Sequence, residues 1–219
     1  MRSLLIIGLG RFGRHLTTSL SELGNELMVI DKDEFVVNKM TSLVASAQIG
    51  DCTDRDVLKD IGVSNFEICF VCISNDLESS MVITTLLKDL GAKKVVTKVN
   101  QDLHAKFLIT NGADEVIYPE RDMARRAAMK YSTLNAFDYL ELNSNYGIFE
   151  ISPPTSWIGR TSAEINIRKR YHVNVIAYKD ENQINPLDRE VYTFKPEQHL
   201  IVAGDMKSFN SLISKKLQK

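Results

Sequence analysis

The stretch LLIIGLGRFGRHL, Leu4 to Leu16, joins an apolar run to three glycines at G-x-G-x-x-G spacing, Gly8, Gly10 and Gly13, and then to residues able to continue as a helix. Glycines alone mark any tight turn, so the context carries the reading. The motif follows a candidate strand directly and opens a candidate helix, and Asp31 ends a second apolar run 18 residues after Gly13. That combination is the dinucleotide fingerprint of a βαβ unit. Gly8 permits the turn, Gly10 lets a phosphate approach the backbone, and Gly13 lets helix and strand pack closely. The amides of the helix start and the helix dipole then attract the anion. Asp31 is expected to accept hydrogen bonds from a ribose, and its charge repels a 2′-phosphate. Arg11 lies inside the loop, where its guanidinium suits phosphates with more terminal charge than a dinucleotide carries. Arg14, one step into the helix, reads either as a surface residue or as a phosphate contact.

From Leu4 to Tyr118 one pattern repeats: a short apolar run, a polar turn, an amphipathic stretch and a glycine. This predicts strands at Leu4–Ile7, Leu27–Ile30, Ala45–Ile49, Ile68–Ile73, Val95–Val99 and Glu115–Tyr118, alternating with helices. Gly24, Gly62, Gly91 and Gly112 fall where each helix should stop in a left-handed residue. Runs such as CFVCI are apolar on both faces, as strands covered on both sides must be. The expected fold is α/β, a Rossmann-like doubly wound parallel sheet of six strands.

All five prolines lie at or after Pro119, where the pattern changes. PERDMARRAAMKYSTL reads as a helix that starts on its proline. Beyond it YLEL, YGIFEIS, VNVIAYK and HLIVAG read as short strands, interrupted by TSAEINIRKRY and closed by an amphipathic stretch from Asp205. Thr161 and Glu164 have capping-box spacing. The expected division is residues 1–134, a nucleotide-binding domain with the helix 120–134, and residues 135–219, a small α+β domain.

The 219 residues are 44% hydrophobic and 25% charged with formal net charge -1, the profile of a globular protein and a poor one for wholesale nucleic-acid binding. No apolar run approaches the roughly 20 residues of a membrane helix, and no basic leader precedes the first strand; a cytoplasmic location is expected. Three cysteines, Cys52, Cys69 and Cys72, suit a reducing compartment better than a disulfide framework. The Cys69-x-x-Cys72 spacing lies inside an apolar strand, where residues three apart face opposite ways, so both read as core.

A second polar cluster is GDCTDRDVLKDIGV. Asp51 ends the third strand on the same edge as Gly8 and Asp31, and Thr53 reads as the N-cap of the next helix with Asp56 at its third position. Ser74 and Asn75, which end the fourth strand, are candidates by position, and Phe12, Lys32, Cys52 and Lys98 complete the set. His15, His104, His172 and His199 are scattered, without metal-ligand spacing or a nucleophile elbow. No catalytic residue is assigned. A small NAD-dependent oxidoreductase remains the alternative from the enzyme class; a DNA-associated redox repressor lacks a helix-turn-helix.

GLGRFG at 8–13, VID ending in Asp31, GDCTD at 50–54, GADEVIYPERDMARR at 112–126 and IRKRYHVNVIAYKDENQINPLDREV leading to LIVAGD resemble the cytosolic gating subunits of bacterial potassium uptake systems. This is the KtrA/TrkA group, built from RCK N-terminal and C-terminal domains, and the resemblance covers essentially the whole chain. It implies ATP, ADP or NAD(H) held by Gly8, Gly10, Gly13 and Asp31, with Asp51 and Cys52 at the adenosine end and Arg11 at the terminal phosphate. It implies a divalent cation, Mg or Ca, at Glu120, which by its position alone reads as a first-turn carboxylate favoured by the helix dipole. Cyclic di-AMP is implied in the second domain at Ile165, Arg168, Asn174, Val175, Ile176 and Pro186, although RKR at 168–170 also reads as a solvated helix face. The implied assembly is a homodimer within an octameric ring on the inner face of the membrane, against an integral channel subunit of the KtrB or TrkH type. Two departures stand out: Arg14 and His15 follow the third glycine where the family often continues with small residues, so the phosphate site is expected to be crowded or recharged, and Cys52 stands where alanine is common.

Overall fold

The computed structural model describes residues 1–73, 75–132, 136–143, 145–181, 183–187 and 192–214. Their contacts form two compact units, Met1–Asp122 and Met123–Lys219.

In the first unit the strands are β1 (Ser3–Ile7), β2 (Glu26–Asp31), β3 (Ser46–Ile49), β4 (Ile68–Val71), β5 (Val95–Lys98) and β6 (Glu115–Ile117). They form one parallel sheet in the order β3-β2-β1-β4-β5-β6, the strand order of dinucleotide-binding folds. The connecting helices are α1 (Arg11–Glu22), α2 (Glu34–Asn38), α3 (Arg55–Ile61), α4 (Leu77–Asp89) and α5 (Asp102–Thr110). A central strand covered on both faces must be apolar throughout, and β1 shows why. Leu5 and Ile7 pack with Leu58, Ile83 and Leu87, whereas Leu4 and Ile6 pack with Leu9, Val29 and Val37 in a separate cluster. Cys69 belongs to the first cluster and Cys72 to the second, so the pair does face opposite ways.

The four predicted helix stops, Gly24, Gly62, Gly91 and Gly112, all have positive φ. One cap differs from expectation. Asp54, not Thr53, caps α3 by accepting from the Asp56 N–H, while Thr53 turns back to Asp51. The shorter carboxylate step to the second amide wins because Asp51 already holds the threonine.

Helix α6 (Pro119–Ser132) runs across the division between the units. In the second unit β7 (Ala136–Asn143), β8 (Tyr146–Ile151), β9 (Val173–Asp180), β10 (Gln183–Pro186) and β11 (His199–Asp205) form an antiparallel sheet in the order β10-β9-β11-β8-β7. Strand β10 was not legible, because QINP lacks an apolar alternation. TSAEINIRKRY forms two short helices, α7 (Ser162–Ile165) and α8 (Ile167–Tyr171), broken at Asn166 by a φ of 57°. The Thr161–Glu164 capping box is present in full. Helix α9 (Met206–Ser214) closes the unit, and its Phe209 stacks on Phe149 beneath the sheet.

Two predictions follow from packing. A Cβ on Gly13 would lie 2.0 Å from the Gly8 carbonyl oxygen, a rigid backbone atom. Gly13→Ala is therefore expected to destabilise the chain by about 3 kcal/mol in urea unfolding, the upper end of ordinary overpacking. Burial pushes the thiols of Cys52, Cys69 and Cys72 up to about 12. An aromatic disulfide reagent at pH 8 is expected to label none of them in the native chain and all three after unfolding.

Candidate functional site

Parallel strands end on one edge, and the reversal of strand order between β1 and β4 opens a crevice there. The structure has a cleft of about 620 Å³ at this edge, within the size range of nucleotide and small-ligand sites. It is lined by Gly8, Gly10, Arg11 and Phe12 from the loop after β1, and by Asp31 and Lys32 after β2. Asp51 and Cys52 come from the end of β3, Asn75 from beyond β4, Lys98 from β5 and Glu120 from α6. Gly13 lies beneath the loop rather than in the cleft, consistent with a packing role, and Ser74 lies outside the described residues. Sequence reasoning missed Gly50, Thr53, Asp76, Ser79 and Asn100 in the lining. Asp76 and Asn100 follow the ends of β4 and β5, so strand-end position was the available signal.

The loop presents a helix start with open donors. Asp33, Asp54 and Asp76 close α2, α3 and α4 with side-chain hydrogen bonds, but α1 begins on Gly10 with no side-chain cap. A Cβ built on Gly10 would meet nothing within 4 Å, so the space over the helix start is open to an incoming group. Such a start favours an anion by unpaired N–H groups and dipole together.

The carboxylates around this start are held before any ligand arrives. Asp31 accepts from the Leu9 N–H at 2.5 Å and from the Asp33 N–H at 2.9 Å. Asp51 accepts from the hydroxyl and the N–H of Thr53, which hold its carboxyl below the usual range. The Ser79 hydroxyl and N–H do the same for Asp76. Cys52, by contrast, is a buried thiol kept protonated.

Cations stand at the other end. Lys98 is 7% exposed, and its ammonium meets Glu120 Oε1 at 2.6 Å and lies 5.7 Å from the centre of the Phe12 ring. That hydrogen bond holds the Glu120 carboxyl below its usual range, while the carboxylate itself stays largely exposed. Arg11 is exposed and makes no hydrogen bond or ion pair among the described residues. Arg14 does not line the cleft; its Nη1 donates to the Leu9 carbonyl at 2.7 Å, so the expected crowding of the phosphate site does not occur. Among the described residues no three His, Cys, Asp or Glu side chains stand close enough to hold a metal ion. No described helix is long and apolar enough to cross a membrane.

In the second unit the side chains of Ile165 and Val175 are buried in the apolar core. Arg168, Ile176 and Pro186 are exposed and Asn174 is half-buried. Asn174 and Ile176 alternate along β9 with buried Val173, Val175 and Ala177, and Pro186 pairs opposite Ala177. Of these six positions Arg168, Asn174, Ile176 and Pro186 have side chains outside the core, whereas Ile165 and Val175 keep theirs within it.

Because its glutamate partner carries a lowered pKa, the Lys98–Glu120 attraction is fully present above the ordinary glutamate value of 4.5 and is lost as pH falls through the lowered value. Lys98→Met is thus expected to flatten the pH dependence of unfolding free energy below about pH 5, where Glu120 loses its charge in the unfolded chain before it does in the folded one. Urea titrations across that window test it, and an unchanged slope would show that the pair contributes nothing.

Comparison with known proteins agrees with this architecture. The TrkA-N domain family matches residues 4–119 and the TrkA-C domain family residues 147–216. Ktr system potassium uptake protein C of Bacillus subtilis is 38% identical over 203 residues, which is 92% of this chain and 91% of that protein. Ktr system potassium uptake protein A of the same organism is 29% identical over 94% of each chain. The solved GsuK channel bound to NAD superposes with a TM-score of 0.65 at 19% identity, over 97% of this chain and 39% of that one, and so shares its fold. With both domain families matched in order, and with a relative this similar over nearly its whole length, the chain belongs to the KtrA/TrkA group of potassium uptake proteins.

Proposed function

We propose that the chain is a ligand-sensing regulatory subunit of a potassium uptake system and not an enzyme. One observation carries this reading: the cleft pairs an uncapped helix start with a buried Lys98 and with Arg11, which has no side-chain partner among the described residues, and its aspartates are held by neighbouring donors. Such a site is arranged to hold an anion rather than to act on it. Ribose hydroxyls would bind Asp31, the adenosine end would lie by Asp51 and Cys52, and phosphates would meet Gly10, Arg11 and Lys98. ADP or ATP satisfies the two cations more fully than NAD(H), whose second half carries no terminal phosphate. A divalent cation, Mg or Ca, would join Glu120 to phosphate oxygens once a phosphate draws Lys98 away, supplying charge neutralisation there.

The partner is an integral membrane channel subunit of the KtrB or TrkH type, met at the cytoplasmic face by a homodimer within an octameric ring. Ligand exchange shifts the dimer between shapes only by its difference in affinity between them, typically about 1–3 kcal/mol. The second unit takes cyclic di-AMP through Arg168, Asn174, Ile176 and Pro186.

A thermal-shift panel tests the reading, because selective binding to the native state raises its melting temperature. ATP and ADP are expected to stabilise the chain, ATP more so with magnesium or calcium, and NADPH to do nothing because Asp31 repels its 2′-phosphate. Arg11→Ala is expected to narrow the gap between ATP and ADP. Stabilisation by NADH alone, indifferent to cation, would favour the oxidoreductase instead.

A further inference from the structure

We propose that Arg14 is a positioning residue for the nucleotide site: its guanidinium clamps the Leu9 carbonyl and thereby sets the peptide that leads into the uncapped start of α1. The proposal rests on the nucleotide reading above.

Leu9 is fixed from three sides. Its side chain is 0% exposed, its N–H is taken by Asp31 Oδ2 at 2.5 Å, and its carbonyl accepts from Arg14 Nη1 at 2.7 Å. The Arg14 backbone N–H also donates to the Gly10 carbonyl at 3.1 Å, so one residue of α1 grips the two successive carbonyls before the helix. A trans peptide is planar, with its C=O and N–H pointing opposite ways. Holding the Leu9 oxygen against Arg14 therefore also fixes the direction of the Gly10 N–H, which belongs to the same peptide and points the opposite way. Gly10 needs such a brace. It has no Cβ and no side-chain cap, and a Cβ there would touch nothing, so neither packing nor capping restrains it.

The second anchor, Asp31, is also the expected ribose acceptor. A ribose that hydrogen-bonds this carboxylate competes with the Leu9 N–H for its oxygens. Arg14 then remains as the anchor that holds the loop while the ligand is bound. The role differs from that of Arg11, which lines the cleft and makes no bond within the described residues. Arg14 acts through the backbone, so it should matter equally to every ligand with phosphates on the helix start and not at all to one without them.

The experiment measures ATP, ADP and adenosine affinity by calorimetry at two salt concentrations for the native chain, Arg14→Met and Arg14→Lys. Arg14→Met is expected to weaken ATP and ADP by the same factor, on the order of tenfold, the loss of about one charge-assisted hydrogen bond's worth of positioning. Adenosine affinity and the salt dependence should be unchanged, and Arg14→Lys, which keeps one donor, should recover part of the loss. Hydrogen exchange of the peptide covering residues 9–13 should quicken in ligand-free Arg14→Met. A greater loss for ATP than for ADP, with a changed salt dependence, would make Arg14 a direct charge contact and overturn the proposal. Unchanged affinities with a lowered melting temperature would also overturn it, leaving Arg14 a stabilising residue only. Should Arg14→Met not fold, Arg14→Lys alone decides by the same ATP-to-ADP comparison. If the native chain binds no nucleotide, the site reading itself fails, and accelerated exchange in the variant still tests the clamp.

Discussion

The first unit depends on one close approach. Gly13 lies so near the Gly8 carbonyl that no side chain fits between them, and this sets the distance and angle at which α1 leaves β1. Because the helix starts that close to the central strand, its open N–H groups face the crevice where the sheet reverses order. Anything larger at Gly13 would push the helix out and carry the donors with it. The open space over Gly10 answers the opposite need: there, room must be left for a group that approaches the backbone.

Around that start, charge is arranged so that little must reorganise. Asp31, Asp51 and Asp76 each accept hydrogen bonds from neighbouring N–H or hydroxyl groups. Carboxylates held in this way point where their donors place them. Lys98 is the costlier element, since an ammonium almost wholly removed from water needs a partner. Glu120 supplies that partner from α6, and its own carboxylate stays largely exposed. The cleft thus has an internal ion pair on one side and hydrogen-bonded aspartates on the other.

The second unit follows the ordinary logic of an antiparallel sheet with one covered face. Phe149, Val173, Val175, Leu200 and Val202 pack under Trp157, Phe194 and Phe209. The alternate residues of β9, Asn174 and Ile176, face outward. On the outer face Glu150 accepts from His199 Nδ1 at 2.7 Å and Lys179 at 3.0 Å. Burial alone would raise the Glu150 carboxyl, but these two donors outweigh it and hold it below its usual range.

The alternation of strands and helices, the helix stops at four glycines and the loop that opens on Gly8 were legible in the order of residues alone. Each is a local property: apolar period, a residue free to take positive φ, or a spacing within one turn. Most of the cleft was legible for the same reason, since in a parallel sheet every strand end comes to one edge: Asp31 and Lys98 end β2 and β5, and Asp51 follows β3 by two residues. Only the tertiary structure decided which partner each group takes. Asp54 rather than Thr53 caps α3 because Asp51 draws the threonine away, Lys98 reaches Glu120 across 22 positions of sequence, and Arg14 turns from the phosphate side to the Leu9 carbonyl. Ile165 and Val175 went into the core because the register of β9 and the packing of α7 assign their faces. Pairing depends on which side chains arrive within about 3 Å of one another, and that distance is set by the packed chain, not by the order of its residues.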